Sequence, residues 1–451
     1  MMEGPEGEGT RRAAGAVEWL VVALACAVVA YLGIGNEQGD HAYSRLATVY
    51  SLTTYGTWYI DRPAGGPPNP FESWTVDKVM VRGIEEDGVI RGGRMISSKP
   101  PLLPLVMTGE YLAVRAVTGW SLASEEQTRR ILSVMTVTLM GGSYLLALFF
   151  FLKTLRLFDI PPGTRILLLV ALAFGSQLMG FSTSISNHVP ATGLLMVTLY
   201  LGLGLSADKL APVPARFVLF GFFGALVPAV DMPLGIFVVF VGLSLLHRHP
   251  RQTLTWVLAG ALPPLALHTA IMVAVTGSPL PVQMRKITYL YESSYWRHPM
   301  GIDGLNEPKP MYLFHLTFGR CGVYALFPIL LAGLAAGLRA VASSKMPHRS
   351  FILGGGLGVV VLTYYYVTRT NNYGGEAYGF RWFIGAMPLL LLMAAPLLMS
   401  LRRRWQWGLV MLMLAISLYS GWECTRVGWQ SGKEWTSRVF GPPYAQFDSG
   451  N

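Results

Sequence analysis

A chain of 451 residues that is 52% hydrophobic and only 13% charged, with a mean hydropathy of +0.43, is too apolar for a soluble globule of this length. Its long uninterrupted apolar runs, without strand-like alternation, exclude a transmembrane β-barrel and predict an all-α polytopic membrane protein. The net charge of +10 does not point to nucleic acid, because most basic residues fall in short segments between apolar runs, where they act as topological signals.

The first apolar run, 17–34, follows Arg11 and Arg12. It exceeds a usual signal-peptide core and lacks a small-x-small cleavage site, so an uncleaved first span behind a cytoplasmic segment 1–16 is expected. Just beyond it come Asn36, Glu37, Gln38, Gly39, Asp40, His41, Ala42 and Tyr43. In a chain so poor in charge, a carboxylate between a membrane helix and an amphipathic one is the leading candidate for chemistry, and Asp40 holds that place. Tyr43, Leu46, Ala47, Tyr50 and Thr54 recur at helical spacing, giving a stripe suited to lying flat on the membrane. The Gly- and Pro-rich stretch 63–70 breaks the helix, and 89–96 reads as a small hairpin turning at Gly92-Gly93. The chain then returns to the membrane at Ser97-Ser98-Lys99-Pro100-Pro101.

Further spans are expected at 131–152, 166–181, 189–205, 217–230, 232–246, 254–275, 323–338, 351–367, 382–401 and 407–422, several of them short. The stretch 101–117 is ambiguous, since it is apolar but contains Glu110 and Arg115. If it does not cross, Lys153, Arg156, Arg165, Lys209, Arg216, Arg248, Arg251, Arg339, Lys345, Arg349, Arg402, Arg403 and Arg404 all face the cytoplasm; if it crosses, all face outward. It is therefore assigned as an interfacial or re-entrant helix within a large outer loop, 35–130. About 11 spans result, with spans 2–7 in 131–276 and spans 8–11 in 321–422. The amino terminus is inside; the outer face holds 35–130, 182–188, 277–320, 369–381 and a tail, 423–451. Chemistry is expected on the periplasmic or extracytoplasmic side of an inner or plasma membrane, where the acids, His, Asn and Tyr collect.

The order of a span, an outer acid, an amphipathic helix, a hairpin, a Lys-Pro-Pro return and many further spans resembles the GT-C superfamily of polyprenyl-phosphate-dependent glycosyltransferases. Nearest in appearance are bacterial enzymes similar to protein O-mannosyltransferases and to the aminoarabinose transferase of lipid A. The resemblance rests on Asp40-His41-Ala42-Tyr43 with Arg45, on Ser98-Lys99-Pro100-Pro101-Leu102, and on Asn372-Tyr373-Gly374-Gly375 running to Gly379-Phe380-Arg381. It implies a GT-C-like helical bundle that moves a sugar from a polyprenyl-phosphate-linked donor to a hydroxyl of a glycan, lipid or protein. Asp40 is then the general base, while Lys99 and Arg381 hold the phosphate. A lipid phosphate leaves as an anion, so cations are needed more than a second carboxylate. Many relatives carry Asp-Glu where this chain has Asp40-His41, and some carry an acid where it has Ser98.

Each assignment has a structural rival. Asp40 fits a helix N-cap, and Lys99 and Arg381 fit cations snorkelling to headgroups. Glu37 is a candidate auxiliary acid or metal ligand, with His41 and Tyr43 beside it. His188 and Asp231 stand at span boundaries, where hydration or capping also accounts for them. Asn372, Tyr373 and Glu376 suit sugar contacts, and equally an aromatic belt or loop packing. Tyr289, Tyr291, Tyr295, Trp296 and Arg297 suit a cover over the site or plain interfacial packing.

No cofactor is assigned; a divalent metal is left open, with no ligand signature, since His247 and His249 belong to a basic loop and Cys26, Cys321 and Cys424 have no metal-ligand spacing. Two other functions compete: a lipid or solute transporter or flippase, and a non-catalytic relative that binds the carrier.

Overall fold

Each expected apolar run folds as helix in the computed structural model, which describes residues 5–441 and their side chains from residue 13. The outer ends of the two expected terminal segments, 1–4 and 442–451, lie outside the described residues. Six helices are long and apolar enough to cross a membrane: Ala13–Gly33, Glu125–Leu157, His188–Ser206, Pro250–Thr276, Arg349–Arg369 and Arg404–Val427. Shorter apolar helices, Pro162–Phe174, Pro214–Val230, Met232–Arg248, Pro328–Ala342 and Ala386–Met399, fall on the remaining runs. All-helical architecture is what a chain in hydrocarbon requires, because only intra-segment bonding satisfies its backbone there.

Three runs are interrupted or shortened relative to expectation. Run 166–181 stops at Phe174, and a new turn, Gln177–Phe181, starts behind Ser176, whose side chain accepts from the Leu178 amide. Run 323–338 is broken at Phe327 by Pro328, which cannot supply the amide that would continue the helix. Run 382–401 becomes helix only at Ala386, leaving Arg381–Phe383 as a short 3-10 turn beside the long loops.

Small residues set the helix spacing. A methyl at Gly221 would lie 2.0 Å from the Val257 carbonyl oxygen, and one at Gly260 would lie 2.0 Å from that of Val218. Helices Pro214–Val230 and Pro250–Thr276 therefore pack backbone to backbone, as membrane helices do where side chains leave room. At the basic end of the bundle, Glu18 is fully buried and receives Arg156 at 2.5 Å and Arg165 at 2.6 Å. Those two arginines do more than mark topology: they tie the first helix to two others through a charge that burial would otherwise disfavour.

The first outer loop departs from expectation twice. Helix α2, Asp40–Thr54, does not lie open on the membrane: Leu46 and Ala47 are completely buried, and so are Arg45 and Ser51. Its neighbour α3, Leu102–Thr118, instead leaves Val106, Leu112 and Val117 exposed, the pattern of an interfacial helix. The hairpin is longer than expected and turns elsewhere. Strand β1 (Lys78–Val81) pairs with β4 (Arg94–Ser97), and β2 (Ile84–Glu86) pairs with β3 (Val89–Arg91), all antiparallel. The reversal is at Asp87 and Gly88, with φ of 52° and 72°, as a tight hairpin turn of the Asp-Gly type requires. Gly92-Gly93 instead lies where the ribbon breaks: a methyl at Gly93 would be 2.4 Å from the Val81 carbonyl oxygen.

Candidate functional site

A cavity of about 790 Å3 opens where the long loops meet the helix ends. Asp40, His41, Asp77 and Lys99 line it from the first loop, and His188 and Asp231 from helix ends. Asp303, Asn372, Glu376, Arg381 and Trp429 line it from the later loops. His268, Tyr365 and Arg369, on two of the membrane-length helices, extend the lining downward. A second cavity of about 200 Å3 is walled by Phe158, Phe237, Phe351 and other mostly apolar residues, with His348 its single ionisable group among the described residues.

Asp40 is the first residue of α2, but the N-cap is Gly39, which has no capping side chain. The capping rival for Asp40 therefore falls away. Its carboxylate makes no protein hydrogen bond or ion pair among the described residues and faces the cavity. Partial burial, reinforced by the Asp77 and Asp303 carboxylates and opposed by Lys99, raises its pKa above the ordinary carboxylate range. Gly39 also makes room for His41, since a methyl there would meet His41 Cε1 at 2.7 Å. The His41 ring packs on Trp429 with centroids 3.7 Å apart. Burial, then Arg381, Arg45 and Lys99, push the His41 pKa well below its usual value, which keeps the ring neutral.

Lys99 is not free: its ammonium lies 2.7 Å from Asp77. Asp77 immediately precedes β1, so the strand sets the place of this carboxylate. Ser98 instead uses its backbone, its amide donating to the Asp77 carbonyl at 3.0 Å and its carbonyl accepting from Gln283. Arg45 is completely buried and bonds the His41 carbonyl and the Asn187 side chain, each at 2.8 Å. It has no carboxylate partner among the described residues, so it adds positive potential behind His41.

Arg381 differs from Lys99 in how its charge is held. Its guanidinium carbon stands 5.0 Å from the centre of the Trp429 ring, and its Nε is buried with no hydrogen-bond acceptor. Among the described residues it has no ion pair. Gly374, at φ +93°, makes this possible, since a methyl there would sit 3.1 Å from Arg381 Cγ. The Asp77, Asp303, Asp231 and Glu376 carboxylates support its charge without pairing with it, which leaves the guanidinium able to take a bound anion.

Other walls are polar and pre-ordered. His188 Nδ1 and Asp231 Oδ2 are 2.6 Å apart. Asp303 accepts from Asn372 at 2.7 Å and from the Tyr295 hydroxyl at 3.2 Å. Burial raises the Asp303 pKa while those two hydrogen bonds oppose the rise. Glu376 accepts from the Ser431 amide and hydroxyl.

Of the residues singled out from sequence, the cavity gathers Asp40, His41, Lys99, His188, Asp231, Asn372, Glu376 and Arg381. It does not gather Glu37, Tyr43 or Tyr373. Glu37 is exposed outside the lining. Tyr43 stands edge-on to Trp74. Tyr373 is fully buried, bonding Glu307 through its hydroxyl and packing on Tyr312, so it shapes the loop from behind. Tyr289 and Trp296 do line the cavity, and Trp296 donates to the Val76 carbonyl, locking the 277–320 loop onto the first loop. Sequence reasoning missed Asp77, Asp303 and Trp429. Only Asp303, between glycines in Gly301-Ile302-Asp303-Gly304, stands in a context that could have flagged it.

Among the described residues no group of three or more His, Cys, Asp or Glu is gathered as a metal site. No protein-family model matches the chain, and no curated protein matches it significantly. Among solved structures, ArnT from Cupriavidus metallidurans bound to undecaprenyl phosphate is similar at 14% identity and a TM-score of 0.45, over 88% of this chain and 62% of that one. ArnT from the same organism in the apo state is similar at 15% identity and a TM-score of 0.48, over 90% of this chain and 63% of that one. The chain thus spans less than two thirds of the length of these solved proteins.

Proposed function

We propose that this protein is a GT-C-type membrane glycosyltransferase that moves a sugar from a polyprenyl-phosphate carrier to an acceptor hydroxyl. The observation that carries the reading is the Arg381 guanidinium, with no ion pair among the described residues and a buried Nε that lacks an acceptor, in the same cavity as the unpaired Asp40 carboxylate. One suits the donor phosphate and the other the acceptor proton. Arg381 engages two phosphate oxygens through its planar fork, and Lys99, with protons to share beyond its Asp77 contact, adds a third donor. The acceptor oxygen attacks the sugar carbon bonded to the phosphate. Asp40 takes the hydroxyl proton, and the bonding pair goes to the phosphate oxygen.

The cavity lining supports a lipid-borne donor. His268, Tyr365 and Arg369 belong to helices long and apolar enough to cross a membrane, while Asp40 and Lys99 belong to a loop. A substrate with its head among the loops and its tail in lipid suits such a lining. The site then faces the extracytoplasmic side, with about 11 spans and the amino terminus inside. The glycan, lipid or protein nature of the acceptor is set by the 277–320 and 370–381 loops in this reading.

The test is incubation of purified protein in lipid nanodiscs with undecaprenyl-phosphate-linked hexoses and pentoses and hydroxyl acceptors, comparing wild type with Asp40→Asn. Transfer by wild type that is lost in the variant supports the reading. Transfer that survives removes Asp40 as base. Carrier binding without turnover supports a non-catalytic relative, and substrate counterflow in proteoliposomes supports a transporter.

A further inference from the structure

The cavity holds a second poised acid-base group that the mechanism above does not use. His188 is the first residue of the helix His188–Ser206, and Asp231 ends the helix Pro214–Val230. Their side chains meet at 2.6 Å and are only 8% and 9% exposed, so this is a built contact and not a surface encounter. Both residues line the cavity that holds Asp40 and Arg381. An ionised carboxylate only accepts, so Nδ1 carries the proton of this bond and the imidazole is fixed in one orientation. His188 Nε2 has no protein partner among the described residues. A carboxylate on the far nitrogen also stabilises the imidazolium, as in acid-base couples of hydrolases.

Burial weighs most on His188 and disfavours its charged form; Asp231 opposes that, while Arg381 and Arg45 add to it, with His41 as a neutral neighbour. None of the cavity carboxylates other than Asp231 is among its main influences. His188 and Arg381 thus share the influence of Asp231, whereas Asp40 is influenced first by burial and then by Asp77, Lys99 and Asp303.

Building on the glycosyltransferase reading, we infer that His188, held by Asp231, is the donor that receives the charge appearing on the carrier phosphate as the sugar leaves. The donor is a phosphodiester with one negative charge. When its sugar–oxygen bond breaks, the pair stays on oxygen and a second charge appears on a phosphate monoester, whose second ionisation lies near pH 6. Arg381 neutralises charge present throughout, but the new charge needs a donor aimed at that oxygen. His188, entering as the imidazolium with protons on both nitrogens, hydrogen-bonds or protonates that oxygen through Nε2–H; the acceptor proton goes to Asp40, and solvent afterwards takes the Asp40 proton and restores that of His188. The carrier leaves with a single net charge, and no proton is lost or gained overall. Asp231 is a positioning residue, acting only through His188.

The experiment compares wild type, His188→Gln and Asp231→Asn in nanodiscs, with an undecaprenyl-phosphate-linked sugar turned over by wild type, across pH 5 to 9. Thermal melting checks that each variant folds. The inference expects His188→Gln to lower kcat about 100-fold with little change in donor KM. It also expects the alkaline limb of the wild-type profile to vanish in that variant, and to move to lower pH in Asp231→Asn. An unchanged kcat, or a loss that keeps the alkaline limb in place in both folded variants, overturns the role of His188 and leaves the glycosyltransferase reading standing. Should His188→Gln fail to fold, Asp231→Asn with an unmoved limb overturns it equally. No turnover by wild type with any such donor sinks the glycosyltransferase reading itself, and this inference with it.

Discussion

Lys99 lies 2.7 Å from Asp77, whereas Arg381, in the wall of the same cavity, has no carboxylate ion-pair partner among the described residues. Two cations expected to act alike are therefore in different electrostatic states. Burial lowers the Lys99 pKa and Asp77 holds it up, so the ion pair keeps the lysine charged but partly neutralised. Arg381 carries its charge with no such partner.

Phosphate affinity follows from this difference. Arg381→Lys removes the planar fork and is expected to weaken undecaprenyl phosphate binding by about 10- to 100-fold, or about 1.4 to 3 kcal/mol. Lys99→Met should weaken it less. Equilibrium binding of labelled undecaprenyl phosphate to nanodisc-embedded protein measures both, and a larger loss in Lys99→Met would reverse the assignment.

Turnover depends on pH through Asp40. Its pKa is raised, chiefly by burial, and the base must be ionised. Activity is therefore fully present above the raised pKa and falls as pH drops through it, at a pH above the ordinary carboxylate value of about 4. A kcat/KM profile with its acid limb at or below that ordinary value would show that Asp40 is not the titrating base.

Stability depends on pH through Glu434, which is completely buried and accepts the Gly379 amide at 2.6 Å. Burial pushes its pKa up to about 7. The folded state thus favours the neutral form: the contribution is present at pH below the ordinary glutamate value and is lost as pH rises through about 7. The span corresponds to a few kcal/mol, on the order of 3. Thermal melting from pH 5 to 9 should decline for wild type and flatten for Glu434→Gln; parallel curves would contradict the assignment.

Removing both Arg156 and Arg165 leaves Glu18 buried without a counter-charge. Replacing both by Ala should destabilise the protein by about 3 to 5 kcal/mol, and adding Glu18→Gln should recover much of that. Thermal melting of the double and triple variants decides; a triple variant no more stable than the double would mean that the arginines act through packing.

The orientation is tested by labelling. In a cysteine-free background, Glu85→Cys, exposed on the first long loop, should react with an impermeant maleimide from outside and Ser344→Cys should not. Reaction of both from outside would break the topology.

Apolar runs long enough to be spans were legible because hydropathy and helix length share one cause, the thickness of the hydrocarbon. The breaks at Gly175-Ser176 and Phe327-Pro328 were less so, since glycine and proline also occur inside membrane helices that continue. The hairpin turn was misplaced because the Gly92-Gly93 pair outweighed Asp87-Gly88, although the latter has the turn chemistry. In the site, Asp40, Lys99 and Arg381 were accessible through the motifs around them. Asp77 and Trp429 were not: Asp77 reaches Lys99 only because β1 pairs with β4, and Trp429 reaches Arg381 and His41 only because the last long helix packs beside the site. The stripe on α2 is apolar as its spacing predicts, but protein and not lipid covers Leu46, Ala47 and Tyr50.

The most direct measurement sets carrier binding beside sugar transfer in wild type, Asp40→Asn and Arg381→Met, using one labelled undecaprenyl-phosphate sugar. Asp40→Asn should bind undecaprenyl phosphate as wild type does while transfer falls by about 10²- to 10⁴-fold, and Arg381→Met should lose binding. Transfer that persists in Asp40→Asn, or carrier affinity untouched in Arg381→Met, would contradict the division of labour proposed for this cavity.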